Sequence, residues 1–239
     1  MLQEGDSLFD LASLGPTVEG TFLERPNRFV AIAEVKGEKR RVHVADTGRL
    51  EEILTPARAL LLLKNREGMS TDYTLLAARM EEGWVLINTR LHAPIAKKAI
   101  ERGVLGFVPK RLRSEVRFGH SRFDYRADDA FVELKGCSLV QQNECRFPNA
   151  PTIRGVRHLL ELLQAKEQGF RAFILIMALR PCDCFRAHPR RDENFRRTFY
   201  TVLKKGVQYK GFHIRIVNDT VVYAGVLKLC QDKKAVSDN

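Results

Sequence analysis

The sequence lacks any apolar run near the ~20 residues that a membrane-spanning helix needs, which excludes a helical membrane protein. Its first residues, MLQEGDSLFD, are acidic and have no basic-then-apolar leader, so we expect no secretory signal. Low-complexity stretches are also missing, and a hydrophobic content of 44% is enough to bury a core. We therefore expect a soluble, globular protein of the cytoplasm.

Cysteine is sparse, with five among 239 residues, and this excludes a small secreted scaffold stapled by disulfides. Cys182, Cys184 and His188 are close enough in sequence to suggest a metal site, but the second cysteine pair of a structural zinc site is missing. Free thiols are the simpler interpretation, and it applies to Cys137, Cys145, Cys182, Cys184 and Cys230.

Positive charge is concentrated in the second part of the chain. Residues 1–100 carry 14 Lys or Arg and 14 Asp or Glu, whereas residues 101–239 carry 26 and 15 and thus supply the whole net charge of +11. This asymmetry favours a nucleic-acid partner over a basic surface that serves only solubility.

The first part of the chain reads as strands. Six β-branched or apolar runs are separated by turn residues, a pattern typical of a small barrel. They are Val18–Leu23, Phe29–Val35, Arg41–Val44, Ala59–Lys64, Tyr73–Arg79 and Trp84–Ile87.

Helices and strands alternate after Asn88, which predicts an α/β layer architecture. The predicted helices are Pro94–Gly103, Gly155–Gln168 and Asp192–Lys205, and the predicted strands are Phe131–Leu134, Ala172–Leu179, His213–Val217 and Val221–Ala224. We expect two domains, a barrel over residues 1–90 and an α/β domain over residues 91–239.

Acidic residues and a lysine cluster between Ser114 and Gly136. In a strand, Glu133 and Lys135 project to the same side, and Asp124 lies on an adjacent strand across the short turn at residues 128–129. Carboxylates that share a small site repel each other unless a cation joins them, and hard oxygen ligands suit Mg²⁺ or Mn²⁺. The alternative is an exposed strand edge, with Asp124 capping a turn.

At this point the sequence resembles the sugar fermentation stimulation protein A family. The strings that carry the resemblance are Ser121–Asp124, Val132–Lys135, Phe147–Gly155 with His158-Leu159, Arg25–Phe29 and Asp46–Leu50. The resemblance implies an OB-like β-barrel followed by a PD-(D/E)xK nuclease-like domain, and a DNA-binding protein with a regulatory role in sugar metabolism.

The resemblance also implies roles for single residues. Asp124 takes the aspartate position of the nuclease motif, Glu133 the second acidic position, Lys135 the lysine, and Glu115 an upstream acidic position that helps to hold metal. We expect Asp124 and Glu133 to bind one Mg²⁺ or Mn²⁺, with Lys135 near the attacking water or the scissile phosphate.

Arg154, His158 and Glu161 share one polar face of the predicted helix opposite its leucines. With the resemblance, this face is expected to look into the site, where Arg154 and His158 lie near a phosphate and Glu161 supports the ligands. A solvated charge network on an exposed helix is the alternative.

Seven arginines and one asparagine are further candidates for contacting nucleic acid. Those of the barrel flank a turn beside Phe29, and those of the second domain lie next to the metal site or near the last helix. They are Arg25, Asn27, Arg28, Arg122, Arg190, Arg191, Arg196 and Arg197. The alternative is an ordinary charged surface.

Three functions are compatible with these features: a DNA-binding protein that keeps a nuclease-type metal site, an active Mg²⁺-dependent nuclease, and a regulator that has the fold without hydrolysis. DNA is the expected nucleic acid. The sequence leaves open whether the chain pairs with a second copy.

Overall fold

The computed structural model describes residues 2–119 and 121–231. The first seven strands of the chain are β1 (Ser7–Asp10), β2 (Thr17–Asn27), β3 (Val30–Val35), β4 (Glu38–His43), β5 (Ala59–Lys64), β6 (Tyr73–Met80) and β7 (Gly83–Leu86). A 3₁₀ turn at Leu11–Leu14 lies between β1 and β2.

A second 3₁₀ turn at Thr89–Leu91 leads into the α/β half. Its elements in chain order are α1 (His92–Glu101), β8 (Leu112–Phe118), β9 (Ser121–Ala127), β10 (Ala130–Cys137), β11 (Val140–Gln141), β12 (Glu144–Phe147), α2 (Ile153–Glu167), β13 (Arg171–Ala178), β14 (Cys184–Ala187), α3 (Glu193–Lys204), β15 (Gln208–Val217), β16 (Thr220–Val226) and β17 (Lys228–Leu229).

Strands β2 to β6 close into a five-stranded barrel, as the strand pattern predicts. The sheet runs β4-β3-β2-β5-β6-β7, and a parallel pairing of Val42 in β4 with Tyr73 in β6 closes β2 to β6 into a barrel, with β7 outside the ring. Gly20 of β2 lets neighbouring strands approach, because a Cβ there would lie 2.9 Å from the side chains of Leu62 and Val35. This closed sheet is the OB architecture.

A seven-stranded mixed sheet in the order β1-β16-β15-β13-β10-β9-β8 forms the second half. Strands β10, β13 and β15 are parallel and are joined by crossovers through α2 and α3. The other pairings in this sheet are antiparallel. The chain therefore combines an OB barrel with an α/β domain.

Strand β13 lies at the centre of this sheet and is covered on both faces. Phe173, Leu175 and Met177 belong to a core shared with α1 and the barrel, whereas Ile174 and Ile176 belong to a core shared with α2 and α3. Two buried faces explain why the sequence of this strand is apolar without alternation.

The first strand corrects the expected domain division. The sequence pattern assigns residues 1–90 to the barrel, but β1 pairs with β16 at the edge of the seven-stranded sheet, with Ser7 opposite Val222. The barrel strands begin only at Thr17. Pairing over more than 200 residues of sequence leaves no local signal, so the pattern of β1 alone could not reveal its partner.

The cysteines also depart from expectation. A small sheet, β11-β12-β14-β17, brings cysteines together, and the structure has disulfides Cys137–Cys145 and Cys184–Cys230. Cys182 is a free thiol. The expectation of five free thiols is wrong for four of them. The pairing of β14 with β17 brings Cys184 to Cys230 across 46 residues, and the β11–β12 hairpin returns Cys145 to Cys137.

No helix in the described parts of the chain is both long enough and apolar enough to cross a membrane.

Candidate metal and nucleic-acid site

The site is built on the hairpin of β9 and β10, which a two-residue turn joins at Asp128 and Asp129. Ala127 pairs with Ala130 and Tyr125 with Val132, and this register continues to place Asp124 across from Glu133. Two strands with a tight turn therefore bring together carboxylates that are nine residues apart in sequence.

Asp124 is held where the regular pairing of β9 with β10 stops. Its Oδ2 accepts a hydrogen bond from the backbone N–H of Leu134 at 2.7 Å, which fixes the carboxylate between Glu133 and Lys135. Burial, and secondly the nearby charge of Glu133, raises the pKa of Asp124 to about 6. The N–H of Leu134 and the charge of Lys135 act in the opposite direction and do not cancel this rise.

Glu133 is buried, and its two oxygens have different surroundings. Lys135 Nζ and His158 Nδ1 both contact Oε1, whereas Oε2 is buried without a partner. Burial by itself would raise the pKa of Glu133, but the hydrogen bond from His158 and the charge of Lys135 outweigh it and hold that pKa below its usual value. The group is therefore ionised, with one oxygen unused.

Helix α2 contributes its polar face to the site. Thr152 caps the helix by accepting the N–H of Gly155 at 3.0 Å, and one turn later His158 lies 3% exposed against Glu133. Arg154 is exposed and donates from Nε to His158 Nε2 at 3.3 Å, so the ring carries its proton on Nδ1. The face is not a solvated network.

Glu161 is buried on the same helix, and its Oε2 has no partner. No described contact joins it to Asp124 or Glu133. That Glu161 belongs to the site therefore stays a prediction from the helical spacing.

Glu115 lies opposite Asp124 in the register of β8 with β9, since Ser114 pairs with Tyr125 and Val116 with Phe123. Its side chain is 60% exposed and pairs with Arg122 at 3.5 Å. Glu115, Asp124 and Glu133 do not bring three ligand atoms within 4.8 Å of one another. The described side chains thus offer two gathered carboxylates, with Glu115 turned to Arg122.

Two carboxylates and a buried, unpartnered oxygen fit one hard divalent cation. Mg²⁺ is usually held in proteins by one or two carboxylates while waters and substrate phosphates fill its other positions. Lys135 lies next to this pair and is the group that would face a water or a phosphate there.

The segment with Cys182, Cys184 and His188 does not form the metal site that its sequence suggested. Cys184 is bonded to Cys230, and His188 Nδ1 accepts the backbone N–H groups of Arg190 and Arg191. Within the described residues, the one group of three metal-ligating side chains is Glu144, Cys184 and Cys230, and Arg146 and Arg186 already pair with Glu144.

The barrel candidates have different surroundings. Arg25 donates to four backbone carbonyls at 2.7–2.9 Å, those of Arg28, Asp46, Gly48 and Arg49. Asn27 Oδ1 accepts the N–H groups of Phe29 and Val30. Arg25 and Asn27 therefore hold the protein's own backbone, which sequence alone did not reveal. Arg28 lies 5.4 Å from the ring of the half-exposed Phe29.

The arginines near α3 lie beside the start of α2. Asp192, the cap of α3, also accepts the N–H of Thr152 at 2.7 Å, and Arg191 donates to the carbonyl of Asn149 at 2.6 Å. Arg196 pairs with Glu193 at 3.2 Å, whereas Arg190 and Arg197 are exposed. This cluster thus adjoins the helix turn that carries Arg154.

Sequence reasoning missed Gly136, which follows Lys135. A Cβ at this position would lie 2.4 Å from the ring of His92, so only glycine lets β10 pass this histidine. It also missed Arg111, just before β8, and the basic residues Arg113, Arg117 and Arg126 of β8 and β9, although the excess of basic residues between residues 110 and 126 was a visible signal.

Family models match both halves of the chain. The model described as the SfsA N-terminal OB domain matches residues 23–87, and the sugar fermentation stimulation protein RE domain matches residues 90–220.

Similar proteins cover nearly the whole chain. A sugar fermentation stimulation protein homolog of Sulfolobus acidocaldarius is 36% identical over 91% of this chain and 92% of its own. One from Methanococcoides burtonii is 37% identical over 90% and 93%. The solved structure of Pyrococcus furiosus SfsA in complex with Ca²⁺ is 27% identical, with a TM-score of 0.84, over 94% of this chain and 99% of that one.

Proposed function

The chain belongs to the sugar fermentation stimulation protein family, and we propose that it is a DNA-binding protein whose α/β domain hydrolyses phosphodiester bonds at a Mg²⁺ or Mn²⁺ site. The observation that carries this proposal is the unpartnered Oε2 of Glu133, buried next to Asp124. A buried carboxylate oxygen without a partner costs free energy, which a bound cation would recover.

Asp124 and Glu133 would hold the cation. The similar Pyrococcus protein was solved in complex with Ca²⁺, which supports a hard-cation site in this fold. When bound, the metal would lower the pKa of a water and neutralise phosphate charge. His158 keeps Glu133 oriented through Oε1, which leaves Oε2 directed away from that bond.

Lys135 favours hydrolysis over mere metal storage. Its ammonium group contacts Glu133 on the same face of β10, and its side chain is only 16% exposed. A cation there stabilises negative charge that develops on a phosphate, or orients the attacking water. Arg154, exposed one turn before His158, is positioned to contact a phosphate of the same substrate.

Charge supports a polyanionic substrate. The excess of basic over acidic residues arises wholly in residues 101–239, which contain the site. Arg190 and Arg197 are exposed and close in sequence to Asp192, which bonds to Thr152 at the start of α2, and they add to the basic surface of this domain.

Cleavage of labelled single- and double-stranded DNA and RNA, in Mg²⁺, Mn²⁺ or EDTA, tests the proposal. We expect cleavage with metal, none in EDTA, and loss of cleavage in Glu133→Gln. Glu34→Gln is the matched control, because Glu34 is exposed on β3 and the substitution makes the same chemical change.

Two results would count against the proposal. Cleavage that continues in EDTA, or that is equal in Glu133→Gln and the control, would exclude this site as its source. Mn²⁺ and DNA binding without cleavage of any substrate would favour a regulator that does no hydrolysis.

A further inference from the structure

A small cavity of about 150 Å³ lies at the start of β8 and the end of β9, at the edge of the seven-stranded sheet. Three of its four lining side chains are arginines. We call it the arginine cavity, and it is lined by Arg111, Arg113, Arg126 and Asp128.

The strand register makes this a costly arrangement of charge. Arg113 lies directly opposite Arg126 in the antiparallel pair of β8 with β9. Like charges in opposite positions destabilise a sheet. Asp128 is occupied, because its two carboxylate oxygens accept the backbone N–H groups of Lys110 and Arg111 at 3.1 and 2.8 Å.

No ion pair in the described chain joins these arginines to a carboxylate. The next acidic side chain, Asp129, pairs instead with Arg171. The charges of Asp128 and Asp129 offset part of the positive charge, and the three arginines of the arginine cavity leave an excess of positive charge for solvent or a ligand.

Arg126 is fixed in place before any ligand arrives. Its Nε donates to the carbonyl of Asp128 at 3.1 Å, and its guanidinium lies 5.3 Å from the ring centre of Phe131 and 5.4 Å from that of Phe170. The terminal nitrogens donate to no acceptor among the described residues. Such a held arginine fork suits a planar pair of hydrogen bonds to phosphate oxygens.

The arginine cavity also adjoins the metal site. Arg126 and Asp124 are two residues apart on β9, about 7 Å along the strand. Arg126 stacks on Phe131, and Phe131 and Glu133 share one face of β10. The guanidinium of Arg126 and the carboxylates of Asp124 and Glu133 thus lie on the same face of the sheet. One residue pair, Tyr125 with Val132, separates them along the strands.

We infer that the arginine cavity binds a phosphate group of the nucleic-acid strand, next to the phosphate that would meet the cation proposed at Asp124 and Glu133. This inference rests on the proposed function for the identity of the strand. The cavity would fix the register of the strand, so that one chosen phosphate meets Lys135. Two sources have the same chemistry, a backbone diester and a terminal 5′-phosphate.

The test is binding of short single-stranded oligonucleotides, with 5′-phosphate or 5′-hydroxyl ends, in EDTA by fluorescence anisotropy. Arg113→Gln removes one exposed charge of the cavity. Arg215→Gln is the matched control, because Arg215 is exposed on β15, three strands from β9 in the same sheet.

We expect Arg113→Gln to weaken binding about tenfold and to lower the log–log salt slope by about one, as loss of one phosphate contact does. Arg215→Gln should change affinity less than about twofold. Loss of affinity for both oligonucleotides identifies a backbone phosphate. Loss confined to the 5′-phosphorylated one identifies the terminal phosphate. Equal affinity and slope in the two variants would overturn the inference.

EDTA separates this test from the metal site, since neither a cation nor cleavage contributes to the affinity. If the wild-type protein binds no oligonucleotide, the proposed function fails, and inorganic phosphate becomes the probe of the cavity. A phosphate-dependent shift of the Arg126 Nε–H resonance that Arg113→Gln removes would keep the cavity as a phosphate site. No shift would overturn that as well.

Discussion

The barrel and the α/β domain both bury charged side chains, but they use them differently. In the barrel, the terminal nitrogens of Arg25 donate to four backbone carbonyls and tie the loop at residues 46–49 to β2. In the α/β domain, Glu133 is held at one oxygen, its other oxygen has no partner, and a second carboxylate, Asp124, stands beside it. The terminal nitrogens of Arg25 hold the fold together, whereas two neighbouring carboxylates are the arrangement that the proposed cation site requires.

The largest expected effect separates catalysis from metal binding within the α/β domain. Lys135→Met should lower the rate of cleavage about 10³-fold, because it removes the cation that would face the reacting phosphate. Its Mn²⁺ affinity by calorimetry should stay within about threefold of wild type. Lys98→Met, on the exposed side of α1, is the control. Equal loss of metal affinity and cleavage would make Lys135 a support of Glu133 only.

The second prediction tests the scaffold side of the comparison. Arg25→Ala should lower the free energy of unfolding by about 3 kcal/mol, since it leaves several carbonyls without their charged donor. Arg28→Ala, three residues away and exposed, should cost less than about 1 kcal/mol. Denaturant unfolding of both variants, with a DNA-binding titration of the folded proteins, measures this. Unchanged stability with weaker nucleic-acid binding would move Arg25 from scaffold to binding site.

The third prediction concerns pH in the metal-free protein. The pKa of Asp124 is raised to about 6 in the folded state, so folded protein binds more protons than unfolded protein between about pH 4 and pH 6. Stability from this group is therefore lost as pH rises through that window. Asp124→Asn should be about as stable as wild type near pH 4 and about 2 kcal/mol more stable near pH 7.

Chemical denaturation in EDTA across this pH range provides the measurement. The difference between wild type and Asp124→Asn isolates this group from the other acids. If the difference in free energy of unfolding between the two proteins does not change between pH 4 and pH 7, the pKa of Asp124 is not raised by its surroundings.

The smallest expected effect concerns the basic surface beside α2. The double variant Arg190→Gln with Arg197→Gln should lower the log–log salt slope of DNA binding by about two, and weaken all sequences equally. The matched double variant Arg66→Gln with Arg79→Gln, in the neutral barrel half, should leave the slope unchanged. Equal slopes in the two double variants would remove this surface from the DNA path.

The neighbourhood of Asp124, Glu133 and Lys135 could be predicted from sequence because it depends only on one strand and the hairpin before it. Alternation along β10 puts Glu133 and Lys135 on one face, and a two-residue turn returns β9 beside it. The same local rules explain β13, whose apolar run is read directly from the chain. Helical spacing likewise brought His158 to the inner face of α2.

What could not be predicted depends on partners that are distant in sequence. Nothing near Arg25 tells that a loop more than 20 residues later supplies its acceptors. The pairing of Cys184 with Cys230 depends on β14 and β17 lying side by side, and β1 depends on β16. Glu115 is opposite Asp124 by register, but its exposed side chain turns to Arg122.

The position of a bound cation tests the central claim most directly. Crystals soaked in Mn²⁺ and measured at the manganese absorption edge report the ion by its anomalous scattering, whether or not the protein cleaves anything. We predict one strong peak in bonding contact with Oε2 of Glu133 and the carboxylate of Asp124, and no peak there in Glu133→Gln crystals. A peak at Glu144 instead, or none at Asp124 and Glu133, would contradict the account.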